Sequence, residues 1–378
     1  MAGIYIHVPF CKKICSYCDF YHVMAQSDNK QYINALNHEA RLRRNYLGAQ
    51  SVSTIYIGGG TPSVLQADEI KSILDNIVEN FKIDKNPEVT IEVNPDDISD
   101  EFLEGLKKTM VNRISVGIQS WRDQDLSLMN RRHTASVAAM ALEKIFDAAY
   151  ENVTIDLMYG LPGMKTADWA SNLDISFSYG IKHLSAYHLT IEAGTMLNKM
   201  RQKGMLTEID EDESTSQFQV LIEKAEAAGF IQYEISNFSL PGFLSIHNSN
   251  YWKQVSYLGL GPSAHSFNGY SRQWNIRDVN KYIKAIESDS PLFDKEELDR
   301  KTRFNEYIMT SLRTMWGINL DYVEDIFDKE GYDYIRNLSG KFIDYGLMRQ
   351  EKQTLVLTNQ GKMISDNIIS ELMLPVGN

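Results

Sequence analysis

Six short runs of β-branched and apolar residues, at 4–8, 54–57, 89–93, 114–118, 153–157 and 183–189, set the limits on what this chain can fold into. Their starts lie 25 to 50 residues apart, enough for one strand, one loop and one helix each. Amphipathic stretches at 31–47, 67–78, 102–110, 137–150, 168–179 and 211–228 supply the helices. Parallel neighbours need a crossover connection, and a helix is the usual one, so the alternation predicts an α/β fold with a parallel sheet. That sheet is a complete barrel, a partial barrel or a doubly wound sheet. Nearly every run ends in residues that suit loops: Pro9-Phe10-Cys11, Gly58-Gly59-Gly60-Thr61-Pro62, Asn94-Pro95, Gln119-Ser120 and Gly160-Leu161-Pro162. Loops at the carboxyl ends of parallel strands converge on one face and carry the chemistry.

After about Pro291 the pattern changes. Three short helices are predicted at 303–315, 320–327 and 334–345, with Gly346 placed to stop the third. A hairpin at 347–349 and 354–358 and a last helix from Gln360 complete a winged-helix-like layout. Residues 301–378 hold 9 basic and 11 acidic side chains, a net of −2, which favours a docking or lid role over DNA binding. The whole chain carries 38 basic and 50 acidic residues, net −12, so broad nucleic-acid binding is disfavoured. No apolar run reaches the ~18 residues of a membrane span, and the N-terminus lacks a secretory layout. A soluble, cytoplasmic protein without an integral membrane segment is expected.

Cysteine is confined to one loop. Cys11, Cys15 and Cys18 are the chain's three cysteines, and an odd count in so short a stretch is no disulfide framework. Three thiolates directly after a strand suit a [4Fe–4S] cluster with one iron left open for a non-protein ligand. Structural zinc, with His7 or His22 as fourth ligand, is a second reading. The apolar face of a helix is a third, opposed by Pro9, Lys12, Lys13, Ser16 and Asp19 in or beside the run.

The segment Tyr5-Ile6-His7-Val8-Pro9-Phe10-Cys11-x3-Cys15-x-Tyr17-Cys18 resembles the opening motif of the radical S-adenosylmethionine (SAM) family. Within that family the chain is most similar to the oxygen-independent coproporphyrinogen oxidase branch and its haem-chaperone members. The resemblance continues through Gly58–Pro62, Ile91–Pro95, Gly117–Trp121, Asp156–Pro162 and His247–Trp252 into the C-terminus. It implies a partial (β/α)6 barrel at 1–235, a connecting region at 236–300 and a winged-helix-like domain at 301–378. It also implies SAM chelated to the open iron and cleaved by one electron to a 5′-deoxyadenosyl radical, which demands a dry, enclosed pocket.

By the same resemblance Gly59, Gly60 and Thr61 line the SAM site with Tyr5 and Tyr17, the glycines letting the backbone come close. Glu92 lies in an apolar strand, where a buried carboxylate needs a partner. The family gives it the ribose hydroxyls; an outward-facing strand residue is the alternative. Gln119, Arg131 and Asp156 match positions that bind a second SAM in the oxidase branch, although Arg131 also reads as an ordinary helix-surface charge.

His247-Asn248-x-x-Tyr251-Trp252 resembles the haem-chaperone signature, with an imidazole for iron and flat rings for a porphyrin. Two functions follow from the resemblance. One is a haem chaperone that holds a cluster and SAM and passes haem, its cargo, to apo-haemoproteins, with room for peripheral contact with membrane haemoproteins. The other is coproporphyrinogen III oxidase, a radical decarboxylase. The oxidase pattern continues with a fourth cysteine where this chain has Phe20, and oxidases carry an N-terminal extension where only ten residues precede Cys11 here. Both differences favour the chaperone, for which no catalytic residue is assigned.

Overall fold

The computed structural model of the protein describes residues 1–25 and 29–375. Strands β1 (Ala2–Val8), β2 (Val52–Gly59), β3 (Ile83–Val93), β4 (Arg113–Gln119), β5 (Val153–Tyr159) and β6 (His183–His188) lie side by side in chain order, all parallel. Helices α1 (Lys30–Leu42), α2 (Ala67–Asn80), α3 (Asp100–Leu106), α4 (Ala135–Asp147), α5 (Thr166–Ser178) and α6 (Glu211–Ala227) follow these strands in turn. In β1 the side chains alternate: Ala2, Ile4, Ile6 and Val8 are fully buried in the apolar core, while Tyr5 and His7 point to the other face.

That other face is polar along β2–β6. Tyr56, Glu92, Ser115, Asp156 and Tyr187 line one cavity of about 30 Å³. Tyr56 and Tyr187 stand four strands apart, roughly 19 Å in a flat sheet. Sharing so small a space requires the sheet to roll, as expected for a partial barrel.

The sheet is wider than six strands. Strands β7 (Ile231–Gln232), β8 (Asn237–Ser239), β9 (Tyr257–Leu260), β10 (His265–Phe267), β11 (Ser271–Asn275) and β12 (Phe293–Glu297) extend it to the order β12-β11-β10-β9-β1-β2-β3-β4-β5-β6-β8-β7. β9 is a seventh parallel strand, pairing with the outer edge of β1, while β10–β12 run antiparallel beyond it. The stretch 236–300 is therefore hydrogen-bonded into the barrel sheet. It also contributes α7 (Ile246–Trp252) and α8 (Val279–Glu287), the latter packing Val279, Tyr282 and Ile286 into the same core.

A second apolar core begins at Phe304 and ends at Leu372. It is built by α9 (Arg300–Leu312), α10 (Leu320–Asp344), α11 (Asn359–Met363) and α12 (Ser365–Leu372), with β13 (Ile318–Asn319), β14 (Met348–Glu351) and β15 (Thr354–Leu357). The two helices predicted at 320–327 and 334–345 join into α10 across a break at Asp328 (φ 60, ψ −175). The Asp328 carboxylate takes the Glu330 and Gly331 N–H groups at 2.9 and 3.3 Å, so it caps the second half as the first ends. No helix among the described residues is long and apolar enough to cross a membrane.

Candidate functional site

The cysteine segment leaves the end of β1 and crosses the carboxyl ends of the strands without forming a helix, which removes the helix-face reading. It is tied down by its neighbours rather than by itself. Ser16 donates its N–H to Met129 O (3.0 Å) and its hydroxyl to Leu128 O (2.7 Å), and Asn130 donates to Ile14 O at 2.8 Å. All three cysteines are free thiols. Burial pushes the Cys11 thiol up and that of Cys18 to about 11. Thr61 Oγ1 donates to Cys11 Sγ at 3.5 Å, and Arg131 Nη1 to Cys15 Sγ at 3.3 Å. Such donors suit sulfur that carries negative charge as a ligand. A tetrahedral zinc site asks for four ligands converging on one ion. A cubane asks instead for thiolates spread over its corners, with one iron apiece. The loop's donor set fits that cluster.

Arg131 is no surface charge. Its Nη2 donates to Asn94 Oδ1 and Gly117 O, both at 2.7 Å, and its buried Nε has no partner. Tyr17 lies beside Cys15 and Arg131, its hydroxyl raised by burial. Gln119 ends β4 in the left-handed region at φ 68, a conformation that L-residues hold only under constraint.

The glycine turn is filled by the protein's own groups. A Cβ on Gly59 (φ 111) would stand 2.7 Å from His7 Nδ1, and one on Gly60 would stand 2.9 Å from Phe10 O and 3.0 Å from Cys11 Sγ. The backbone thus passes directly beneath the cysteine segment. Gly59 N–H donates to Glu92 Oε2 at 3.2 Å, and Tyr56 OH to Glu92 Oε1 at 2.7 Å. Glu92 therefore faces inward, and the outward-facing alternative falls. Burial raises its carboxyl to about 7, with Asp156 adding to the rise and the Tyr56 bond opposing it. Asp156, taking the Ser115 hydroxyl at 3.1 Å, is raised to about 6 by burial. Tyr5 stacks on Tyr56 at 6.2 Å and its hydroxyl meets His7 Nδ1 at 3.1 Å.

His247 itself lies at the other end of the strands, although Tyr251 of the same motif lines a cavity with Tyr5, His7 and Phe20. Helix α7 plugs the opposite mouth of the barrel, where the strands begin. The Glu88 carboxylate at the start of the apolar run of β3 accepts the Ile246 and His247 N–H groups at 2.9 and 2.8 Å. His247 is 2% exposed, its Nδ1 bonded to Thr54 Oγ1 at 2.8 Å and its Nε2 to Tyr251 OH at 3.0 Å. Burial lowers its pKa to about 3. In this structure both His247 ring nitrogens are engaged, and the ring stacks on Tyr56 at 5.1 Å as an internal brace, so ligation of haem iron by His247 would require the plug to open. Asn248 borders the polar barrel cavity, Tyr251 packs edge-on against Tyr257 at 4.6 Å, and Trp252 is half-buried at the end of the plug. Sequence reasoning missed Tyr56, Glu88 and the ties between Arg131 and the cysteine segment. Only the alternation of Tyr56 with Ile55 and Ile57 hinted at an inward-facing side chain.

A rolled parallel sheet with a three-cysteine segment at the strand ends defines a radical SAM protein, and residues 5–174 match the Radical SAM superfamily. The heme chaperone HemW of Bacillus subtilis is 32% identical over 376 residues, spanning 99% of both chains. That of Lactococcus lactis is 32% identical over 371 residues, 98% of this chain and 97% of its own. Coproporphyrinogen III oxidase (HemN) from Escherichia coli has the same fold, with a TM-score of 0.84 over 98% of this chain and 90% of its own at 22% identity. The chain belongs to the HemW family of radical SAM proteins.

Proposed function

We propose that the protein is a haem chaperone that holds a [4Fe–4S] cluster on Cys11, Cys15 and Cys18 and SAM beside it. Tyr5, Tyr17, Gly59, Gly60, Thr61 and Glu92 border the SAM site, with Gln119 and Arg131 at the strand ends near the cysteine segment and Asp156 deeper in the barrel. When bound, the pair supplies one-electron radical chemistry. The residues' own work is narrower: Arg131 and Thr61 steady two of the thiolates, and Glu92 offers a carboxylate to the ribose in exchange for its present bond to Gly59. The cargo is haem, passed to apo-haemoproteins in the cytoplasm, some of them approached at a membrane surface. The barrel, together with the strands and helices that 236–300 adds to it, carries the cofactors, and the winged-helix-like C-terminal unit at 301–378 docks over the barrel edge.

The observation that carries this reading is similarity to HemW over nearly the full length, together with a cysteine segment whose sulfurs already face hydrogen-bond donors. Phe20, where the oxidase has a cysteine, speaks against oxidase chemistry. In the test, anaerobically reconstituted protein takes up about four irons per chain, retains haem and transfers it to an apo-haemoprotein, and leaves coproporphyrinogen III unchanged with SAM and a reductant. Sustained formation of protoporphyrinogen overturns the assignment.

A further inference from the structure

The open side of the barrel, beyond β1, leaves a cavity of about 570 Å³ between β9–β11 and helix α9 of the C-terminal unit. Sites for cofactor-sized ligands run from about 300 to 1,000 Å³, with apolar walls and a few placed polar groups. Its walls include Tyr257, Phe267 and Met309, the first two with ring centroids 6.2 Å apart. Strand register sets the polar groups. His265 and Phe267 share one face of β10, and Arg272 stands opposite Phe267 on β11. Phe20, 67% exposed on the cysteine segment, also lines the cavity, so whatever binds here lies next to the cluster site.

Two cations border the space. Arg272 Nη2 pairs with Glu306 Oε1 of α9 at 2.9 Å, and Arg277 Nη2 donates to Asp19 O at 2.7 Å. Each guanidinium has five donors in a planar fork, so each keeps N–H groups for a carboxylate.

The histidines separate sharply. Seven of the eight bind through a ring nitrogen: His7, His22, His38, His133, His183, His188 and His247. His265 alone, among the described residues, has neither ring nitrogen in a hydrogen bond; its ring is stacked on Trp274 at 6.0 Å and faces the cavity. His265 is exposed at the cavity wall, and its partial burial together with Arg272 lowers its pKa.

Resting on the haem-chaperone reading, we infer that this cavity is the haem seat, with His265 facing the iron and Arg272 and Arg277 taking the propionates. A flat tetrapyrrole lies between the Tyr257–Phe267 platform and Met309, contacting both structural units. His247, walled into the plug, takes no part.

Haemin, its dimethyl ester and iron-free protoporphyrin IX are titrated into the full-length, cluster-reconstituted protein, followed by Soret absorbance. His265→Ala weakens haemin at least tenfold and shifts its Soret band, while protoporphyrin IX binds as in wild type, which also shows the variant to be folded. Wild type prefers haemin to the ester about tenfold, and Arg272→Gln combined with Arg277→Gln abolishes that preference. His247→Ala keeps haemin affinity within threefold. If wild type binds haemin but His265→Ala matches it in affinity and spectrum, the seat is elsewhere and the chaperone reading stands. If the wild type binds no haemin, the chaperone reading itself falls, and this inference with it.

Discussion

Arg131 divides its donors among Cys15 Sγ, Asn94 Oδ1 and Gly117 O, so one side chain joins the cysteine segment to the ends of β3 and β4. Arg131→Gln removes both a charge and the sulfur's hydrogen bond, and hydrogen bonds to ligating sulfur raise a cluster's potential. The variant should therefore show a more negative midpoint by redox titration and faster iron loss. Glu92 gives a second prediction, read in cluster-free protein. Its carboxyl rises from 4.5 to about 7 on folding because it is buried, and Asp156 beside it from 3.8 to about 6. Between those limits the folded state binds protons that the unfolded chain has released. Stability falls as pH rises through this window and stays lower above it. Glu92→Gln removes the charge and can still accept the Gly59 N–H on its amide oxygen, with Tyr56 OH turned to accept from the amide NH2, so it should lessen the loss between pH 5 and pH 8 by about 1–3 kcal/mol, seen in thermal midpoints. An equal loss in both proteins would show that Glu92 is not the titrating group.

At the scale of elements, the plug and the glycine turn carry different loads. His247→Ala leaves Thr54 and Tyr251 unpaired around a buried hole and should cost about 2–4 kcal/mol in denaturant titrations. Gly60→Ala drives a methyl into the Phe10 carbonyl and the Cys11 sulfur, so it should cut iron retention on reconstitution while leaving circular dichroism unchanged. The six strands could be read in advance because a parallel strand buried on its helix-facing side is a run of β-branched residues bounded by loop formers. The run 153–157, for instance, became Val153–Tyr159. β9 escaped because Tyr257-Leu258-Gly259-Leu260 is short and holds a glycine, and nothing local says that it will pair with residues 3–6. The plug was missed for the same reason: Glu88 and His247 are 159 residues apart, and only the closed barrel brings them together. The cysteine segment, by contrast, was legible because its ligands are local.

Across the whole molecule, the two apolar cores meet through polar contacts, among them Arg272 with Glu306, Lys253 over the Trp316 ring at 4.0 Å, and Met315 N–H on Tyr233 O at 2.9 Å. Polar junctions of this kind hold less tightly than either core, so calorimetry should resolve two unfolding transitions. Haemin, touching both units, should raise the lower one by mass action and draw the two together. The position of β1 has a consequence in time. It lies inside the sheet, with β2 on one side and β9, from residues 257–260, on the other. On a ribosome adding roughly 5–20 residues per second, β1 waits on the order of 10–50 s with one edge bare. For that interval the growing chain shows an unfinished strand edge, the kind of surface that recruits foreign strands. The cysteine segment hangs from that same strand. Iron arriving before β9 would meet thiols on a half-built scaffold, so nascent chains need shelter from both aggregation and premature metallation until β9 emerges.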